Sequence, residues 1–225
     1  MSKILITGAG AGLGAAIAHR LADRHEVMVF DRKFGHDVRD PAGTYGFCPI
    51  NLDVVINCAG INKTAWLEEL PEEQWDEVMD INAKGIYKMS QWALPSLIAS
   101  KGTILNIVSN ASHMPMTTSL AYNASKGAAH IMTLQMAREL SKAHGITVFG
   151  ISPNKLRGTE MSKDIEDQVV ALRGWTPEYA KQYQLASLLA GEETDPDALA
   201  EFVAFLLSSK QRHKYLTGCI LPYGA

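Results

Sequence analysis

Tyr122, Lys126 and Ser109 are residue types whose spacing suits acid–base chemistry. Tyr122 and Lys126 stand four positions apart, and Ser109 precedes Tyr122 by thirteen. Positions i and i+4 of a helix share a face, and the pattern over 120–144 predicts a helix there. The Lys126 ammonium then lies beside the Tyr122 phenol. A free phenol titrates near pH ~10, and a neighbouring cation favours the phenolate and draws that value toward neutrality. Ser109 closes a predicted strand, 103–109, and offers a hydroxyl to the same substrate oxygen. A Tyr-x-x-x-Lys also arises readily by chance in a chain with seven tyrosines, so the pair needs an independent signal.

The N-terminus supplies one. Residues 3–7 (Lys-Ile-Leu-Ile-Thr) read as a short buried strand. Gly8, Gly10, Ala11, Gly12, Leu13 and Gly14 follow, then a helical stretch with Leu13, Ile17 and Leu21 on one face. Strand, glycine-rich turn and helix are the context of a dinucleotide fingerprint. Glycines admit the pyrophosphate to the backbone, and the helix N-terminus offers free N–H groups and partial positive charge. The next predicted strand, 26–31, ends at Asp31, nineteen residues after Gly12. An acid about 20 residues on suits a ribose 2′-hydroxyl and repels a 2′-phosphate, which favours NAD over NADP. Arg32 and Lys33 oppose that bias, because either can pair with a 2′-phosphate, so NADP stays possible. A third predicted strand, 53–58, runs out through Asn57, Cys58, Ala59 and Gly60, small residues that suit a ligand crevice.

Together these residues resemble the short-chain dehydrogenase/reductase family. Thr7-Gly8-x-x-x-Gly12-x-Gly14 resembles its cofactor turn, and Asn57-Cys58-Ala59-Gly60 its Asn-Asn-Ala-Gly, with Cys58 in place of the second Asn. Asn82 falls where the family has a helix Asn that holds a water behind the Lys. Ser109 with Tyr122-x-x-x-Lys126 resembles the catalytic Ser, Tyr and Lys. Asp37-Val38 resembles the adenine-side pair, and Pro153-Asn154 stands for the usual Pro-Gly. Thr159 corresponds to a Thr that contacts the nicotinamide amide, in a loop one residue longer.

The resemblance implies one Rossmann-type domain over 1–225: a doubly wound parallel sheet with helices on both faces. It also implies hydride transfer between NAD(H) and a secondary alcohol or ketone. Tyr122 is then the general acid/base and Ser109 binds the substrate oxygen. Lys126 holds the ribose, and Asn82 holds a water. Homodimers or homotetramers, built through helices 71–100 and 120–144 and the last strand, are common in the family. Two alternatives stay open: a dinucleotide-binding sensor or scaffold without turnover, and an enzyme like the nucleotide-sugar epimerases, which generally carry a longer C-terminal substrate domain.

Strand candidates 3–7, 26–31, 53–58, 103–109, 146–151 and 216–221 alternate with helix candidates 12–24, 71–100, 120–144 and 195–209. That alternation predicts an α/β fold with a parallel sheet covered on both faces. Asp195 is the expected N-cap of the last helix. Residues 155–192 read as one or two short helices forming a substrate lid. Pocket walls are expected from Asn110–Leu120 and Lys155–Leu189, with Ser109, His113, Leu156 and Met161 as candidate substrate contacts. Lys155 and Arg157 are lid charges expected to be solvated.

Composition agrees with a globular enzyme. The chain has 225 residues, 47% hydrophobic and 20% charged, with net charge −3. No basic excess suggests a nucleic-acid partner. Three cysteines and seven histidines show no metal or disulfide spacing. The N-terminal apolar run is interrupted by glycines, unlike a secretory signal, and no long apolar stretch suggests a membrane span. A cytoplasmic protein acting on a small alcohol or carbonyl is expected.

Overall fold

The computed structural model describes residues 1–224. Six short runs form strands: β1 (Lys3–Thr7), β2 (Glu26–Phe30), β3 (Val54–Asn57), β4 (Thr103–Ile107), β5 (Thr147–Pro153) and β6 (Ile220–Tyr223). They pair in parallel in the order β2-β1-β3-β4-β5-β6. β3 and β4 are buried at every position, as expected of strands covered on both faces. The helices are α1 (Gly12–Ala22), α2 (Pro41–Tyr45), α3 (Glu72–Met79), α4 (Gly85–Ser100), α5 (Leu120–His144), α6 (Glu160–Arg173), α7 (Pro177–Ala186), α8 (Pro196–Leu207) and α9 (Lys210–His213).

The strand period of two divides the core. Ile4 and Ile6 face a layer with Leu13, Ile17 and Leu21 of α1 and Leu199 and Val203 of α8. Leu5 and Val55 face the opposite layer, with Met89, Ala93 and Leu97 of α4 and Ala137 of α5. This is the doubly wound sheet the sequence pattern predicts. No helix among the described residues is long and apolar enough to cross a membrane.

Several boundaries differ from expectation. Between Phe30 and Val54, where no strand is expected, the chain forms a short 3-10 turn (Arg32–Phe34) and α2, and β2 is the sheet edge. The predicted strand 216–221 begins at Ile220, because Gly218 bends the chain at φ 76° and gives its N–H to the Val148 carbonyl. Strand 146–151 runs instead over Thr147–Pro153. Helix 195–209 stops at Leu207 and α9 follows; Asp195 does cap α8, accepting from the Asp197 N–H at 2.9 Å. Helix 71–100 is divided into α3 and α4 by a π-helical turn, Asp80–Lys84. Residues 155–192, expected as one or two short helices, form α6 and α7.

β1 is flanked by β2 on one side and β3 on the other, so the winding reverses there. Such a switch point opens a crevice beyond the carboxyl ends of the strands.

Candidate active site

The crevice floor is built by close backbone approach. Thr7 ends β1, and its hydroxyl oxygen accepts the N–H groups of Cys58 (3.0 Å) and Ala59 (3.1 Å) just past β3. Gly8 has φ 68°, and a Cβ there would lie 2.7 Å from Ala59 Cα. A Cβ on Gly14 would lie 2.2 Å from the Gly8 carbonyl oxygen. The turn therefore holds strand and helix together only with glycine at both positions. Gly12 (φ 52°) is open apart from Thr159 Cγ2 at 3.6 Å. α1 has no side-chain cap at Ala11 and no acid in its first turn. An uncapped, uncrowded helix N-terminus fits the pyrophosphate of a dinucleotide.

Asp31 lies at the rim of this turn. Its carboxylate accepts the Gly10 N–H at 2.9 Å and the Lys33 N–H at 2.8 Å, while Lys33 Nζ reaches the Gly10 carbonyl at 3.1 Å. Arg32 is exposed. The Asp37 carboxylate pairs with Arg39 at 2.5 Å, and that hydrogen bond holds it below the usual carboxylate range. Val38 is buried against the start of α4, where a Cβ on Gly85 would meet its Cγ2 at 2.8 Å. Asn57 points its amide inward, donating to Asn106 (2.8 Å) and Ser90 (3.3 Å).

Asn82 lies in the π-helical turn. Its Oδ1 accepts the Ile61 N–H at 2.8 Å, and its Nδ2 donates to the Ile61 carbonyl (2.9 Å) and to Ser125 Oγ (3.0 Å). The amide pins one residue of the π-helical turn against Ile61, and such single-turn π-bulges are frequent at functional sites. Asn82→Ala leaves the part-buried N–H and carbonyl of Ile61 without partners, while Ser125 keeps the Tyr122 carbonyl, so a loss of about 2–4 kcal/mol is expected. Urea denaturation checks this, and an unchanged midpoint contradicts it.

Ser109, Tyr122 and Lys126 lie together, with Gly60 against Lys126. Ser109 accepts the Ala111 N–H at 3.2 Å and hydrogen-bonds the Tyr122 phenol. Lys126 is 5% exposed, lies 5.7 Å from the centroid of the Tyr122 ring, and donates to the Ile107 carbonyl at 3.0 Å. A Cβ on Gly60 would come within 3.8 Å of Lys126 Nζ and 3.3 Å of Asn82 Oδ1.

One electrostatic expectation is corrected. Burial raises the Tyr122 phenol above its usual value; the Ser109 hydrogen bond opposes this and the Cys58 thiol adds to it. Lys126, whose amine donates to the Ile107 carbonyl, does not set the direction. Burial lowers the Lys126 ammonium to about 8, against the Cys58 thiol, which acts the other way. Cys58 itself is pushed up to about 12 by burial.

Lys126 gives a pH test of stability. Between its folded pKa of about 8 and its ordinary 10.5 the unfolded chain binds the extra proton, so stability rises with pH through that window. The melting temperature of the wild-type protein, relative to Lys126→Met, is expected to climb from pH 8 to 10.5; a flat or falling difference contradicts the assignment.

The other predicted residues are placed as follows. Pro153 ends β5 opposite Tyr223. Thr159 caps α6 through the Ser162 N–H at 3.1 Å and sits over Gly12. His113 is exposed and Met161 half-buried at the start of α6. Leu156 is half-buried and packs against the α1 and α8 layer. Lys155 is not a free lid charge, because Glu166, Gln184 and Glu193 surround its amine; Arg157 pairs with Asp195. The residues that hold the lid escaped the sequence. Thr64, Gln168, Thr117 and Arg173 carry no local motif, and only the fold brings them together.

Residues 49–170 match the model of the short chain dehydrogenase family. The chain belongs to that family. It is 29% identical over 246 residues to the 3-oxoacyl-(acyl-carrier-protein) reductase FabG of Staphylococcus epidermidis, covering 95% of this chain and 93% of that protein. A structure from Agrobacterium tumefaciens, assigned as a 2-deoxy-D-gluconate 3-dehydrogenase with bound NADP, is 30% identical, with TM-score 0.82 over 98% of this chain and 94% of its own. A 3-ketoacyl-(acyl-carrier-protein) reductase from Brucella melitensis, complexed with NADH, is 25% identical, with TM-score 0.79 over 98% and 96%. Membership makes this protein an oxidoreductase that depends on a nicotinamide dinucleotide.

Proposed function

We propose that the protein transfers hydride between NAD(H) and a secondary alcohol or its ketone, with Tyr122 as the proton carrier. The observation that carries this reading is the convergence of the Ser109 hydroxyl, Tyr122 phenol and Lys126 amine beside the crevice. When bound, the nicotinamide supplies the hydride chemistry. The chain's residues supply position and protons. Ser109 holds the substrate oxygen and the phenol in one hydrogen-bonded group, stabilising charge as it develops. With its pKa raised, Tyr122 is neutral at pH 7 and ready to protonate a carbonyl. In alcohol oxidation the same oxygen accepts the proton. Lys126 adds a buried amine below the ring and a ligand for the ribose hydroxyls. Asn82 fixes Ile61 and Ser125 around it and holds the water that links Lys126 to solvent.

The adenosine end takes Asp37, Val38, Asp31 and Arg32 in the roles the family resemblance assigns. The Asp31 carboxylate favours NAD(H), and Arg32 and Lys33 let NADP(H) bind more weakly. The half-exposed Tyr87 of α4 and the exposed Ile131 of α5 support assembly as a homodimer or homotetramer. Free cysteines suit a reducing cytoplasm.

The test follows reduced-nicotinamide absorbance across a panel of secondary alcohols and ketones with each nucleotide. Turnover with NAD(H) ahead of NADP(H) is expected. Nucleotide binding without consumption across the panel contradicts the reading.

A further inference from the structure

Helix α6 roofs the crevice through two contacts. Gln168 Oε1 accepts the N–H (3.2 Å) and hydroxyl (2.7 Å) of Thr64, in the segment that leaves β3. Arg173 donates to the Thr117 carbonyl at 3.1 Å, in the loop between Ser109 and Tyr122. The segment around Thr64 is held on both sides. Asn82 takes both backbone groups of Ile61, and the Ala65 N–H donates to the Thr118 carbonyl at 2.9 Å.

Asn62 stands between these anchors, and both polar atoms of its amide are buried without a partner. Two nearby residues share that condition. Asn123 follows Tyr122 directly; its Nδ2 is used by the Ala111 and Met114 carbonyls (2.7 and 2.8 Å), and its Oδ1 has no partner. Arg173 is bound to Thr117 and lies 4.7 Å over the Trp175 ring, but its Nε has no partner. Four of the seven buried unpartnered side-chain atoms among the described residues thus belong to three residues whose segments meet at Thr117–Ser119: the Ala65 N–H bonds the Thr118 carbonyl, Arg173 the Thr117 carbonyl and the Asn123 N–H the Ser119 carbonyl. Native proteins pair such groups almost always. A set of them gathered round one loop, one of them on a segment fixed at both ends, points to a ligand that completes it.

Position and chemistry narrow the ligand. Gly60 lies against Lys126, and Asn62 is two residues on, within about 7 Å along the chain. The Asn62 backbone is therefore within a few carbons' length of the residue that packs against Lys126. The open groups are two donors, Asn62 Nδ2 and Arg173 Nε, and two acceptors, the Oδ1 atoms of Asn62 and Asn123. A hydroxyl both donates and accepts. A carboxylate leaves the acceptors unpaired, and an acyl chain leaves all four unpaired.

We propose that Asn62, Asn123 and Arg173 form a polar subsite for the hydroxyl groups of a neutral polyhydroxylated alcohol or its keto form. This rests on the hydride-transfer reading above. Asn62 is then a specificity-determining residue.

The test compares xylitol, D-sorbitol and D-mannitol with 2-pentanol and 2-hexanol, in turnover and in saturation-transfer NMR with the nucleotide present. A site built to hydrogen-bond hydroxyls rejects analogues that lack them, so kcat/KM is expected to favour a polyol by about a hundredfold or more. Asn62→Leu should raise the polyol KM by about tenfold or more, abolish polyol saturation transfer, and leave the melting temperature equal or higher, because an unpartnered amide is removed. A merely structural amide would instead lower the melting temperature and leave polyol binding intact, which overturns the proposal. Turnover of the simple alcohols with neither turnover nor saturation of any polyol also overturns it and leaves the hydride reading standing. Polyol saturation that depends on Asn62 without turnover of any alcohol supports the subsite and sinks the hydride reading.

Discussion

Tyr122→Phe is expected to lower kcat by about 10²–10⁴, the usual worth of a positioned proton donor, with dinucleotide affinity near wild type. Phenylalanine keeps the ring that packs 5.7 Å from Lys126 Nζ and deletes only the oxygen that Ser109 engages. Binding and catalysis should therefore separate cleanly. Stopped-flow turnover and a fluorescence titration with reduced nucleotide measure the two. A variant that turns over near the wild-type rate removes Tyr122 from the chemistry. A variant that loses nucleotide binding shows that the phenol is structural.

Gly14→Ala carries the other large expected effect. The new Cβ would lie 2.2 Å from the Gly8 carbonyl oxygen and 2.7 Å from its carbon. Both are backbone atoms and cannot rotate away. The turn must shift, with an overpacking cost of about 1–3 kcal/mol. The first-turn amides of α1 shift with it. If two N–H bonds to phosphate are forfeited, each worth about 1.5–3 kcal/mol, dinucleotide affinity falls by about 10²- to 10⁴-fold. Gly10→Ala is the contrast, because its Cβ would meet the end of the Asp31 side chain at 2.6 Å, which can swing aside. Calorimetric titration should rank Gly14→Ala well below Gly10→Ala; equal affinities contradict the role of the turn.

The sheet was legible because its signals are local. Ile4 to Ile6, Val54 to Ile56 and Ile104 to Ile107 are apolar runs that no other element explains, and the glycines between β1 and α1 announce the turn. The spacing of Tyr122 and Lys126 placed them on one helix face. It could not show that Lys126 turns to the Ile107 carbonyl, or that burial outweighs charge at the phenol. Those depend on β4 and on what covers the crevice. The π-helical turn was equally hidden: Asp80-Ile-Asn-Ala-Lys84 holds no breaker, and the bulge arises beside Ile61, twenty-one residues away. The lid contacts of Gln168 and Arg173 span 104 and 56 residues.

The most direct test is a crystal structure of the protein with its nicotinamide dinucleotide. The pyrophosphate is expected over Gly8–Gly14 at the start of α1, and the nicotinamide ring within contact of the Tyr122 hydroxyl with its ribose against Lys126. A dinucleotide bound elsewhere, or one whose nicotinamide lies out of reach of Tyr122, would contradict it.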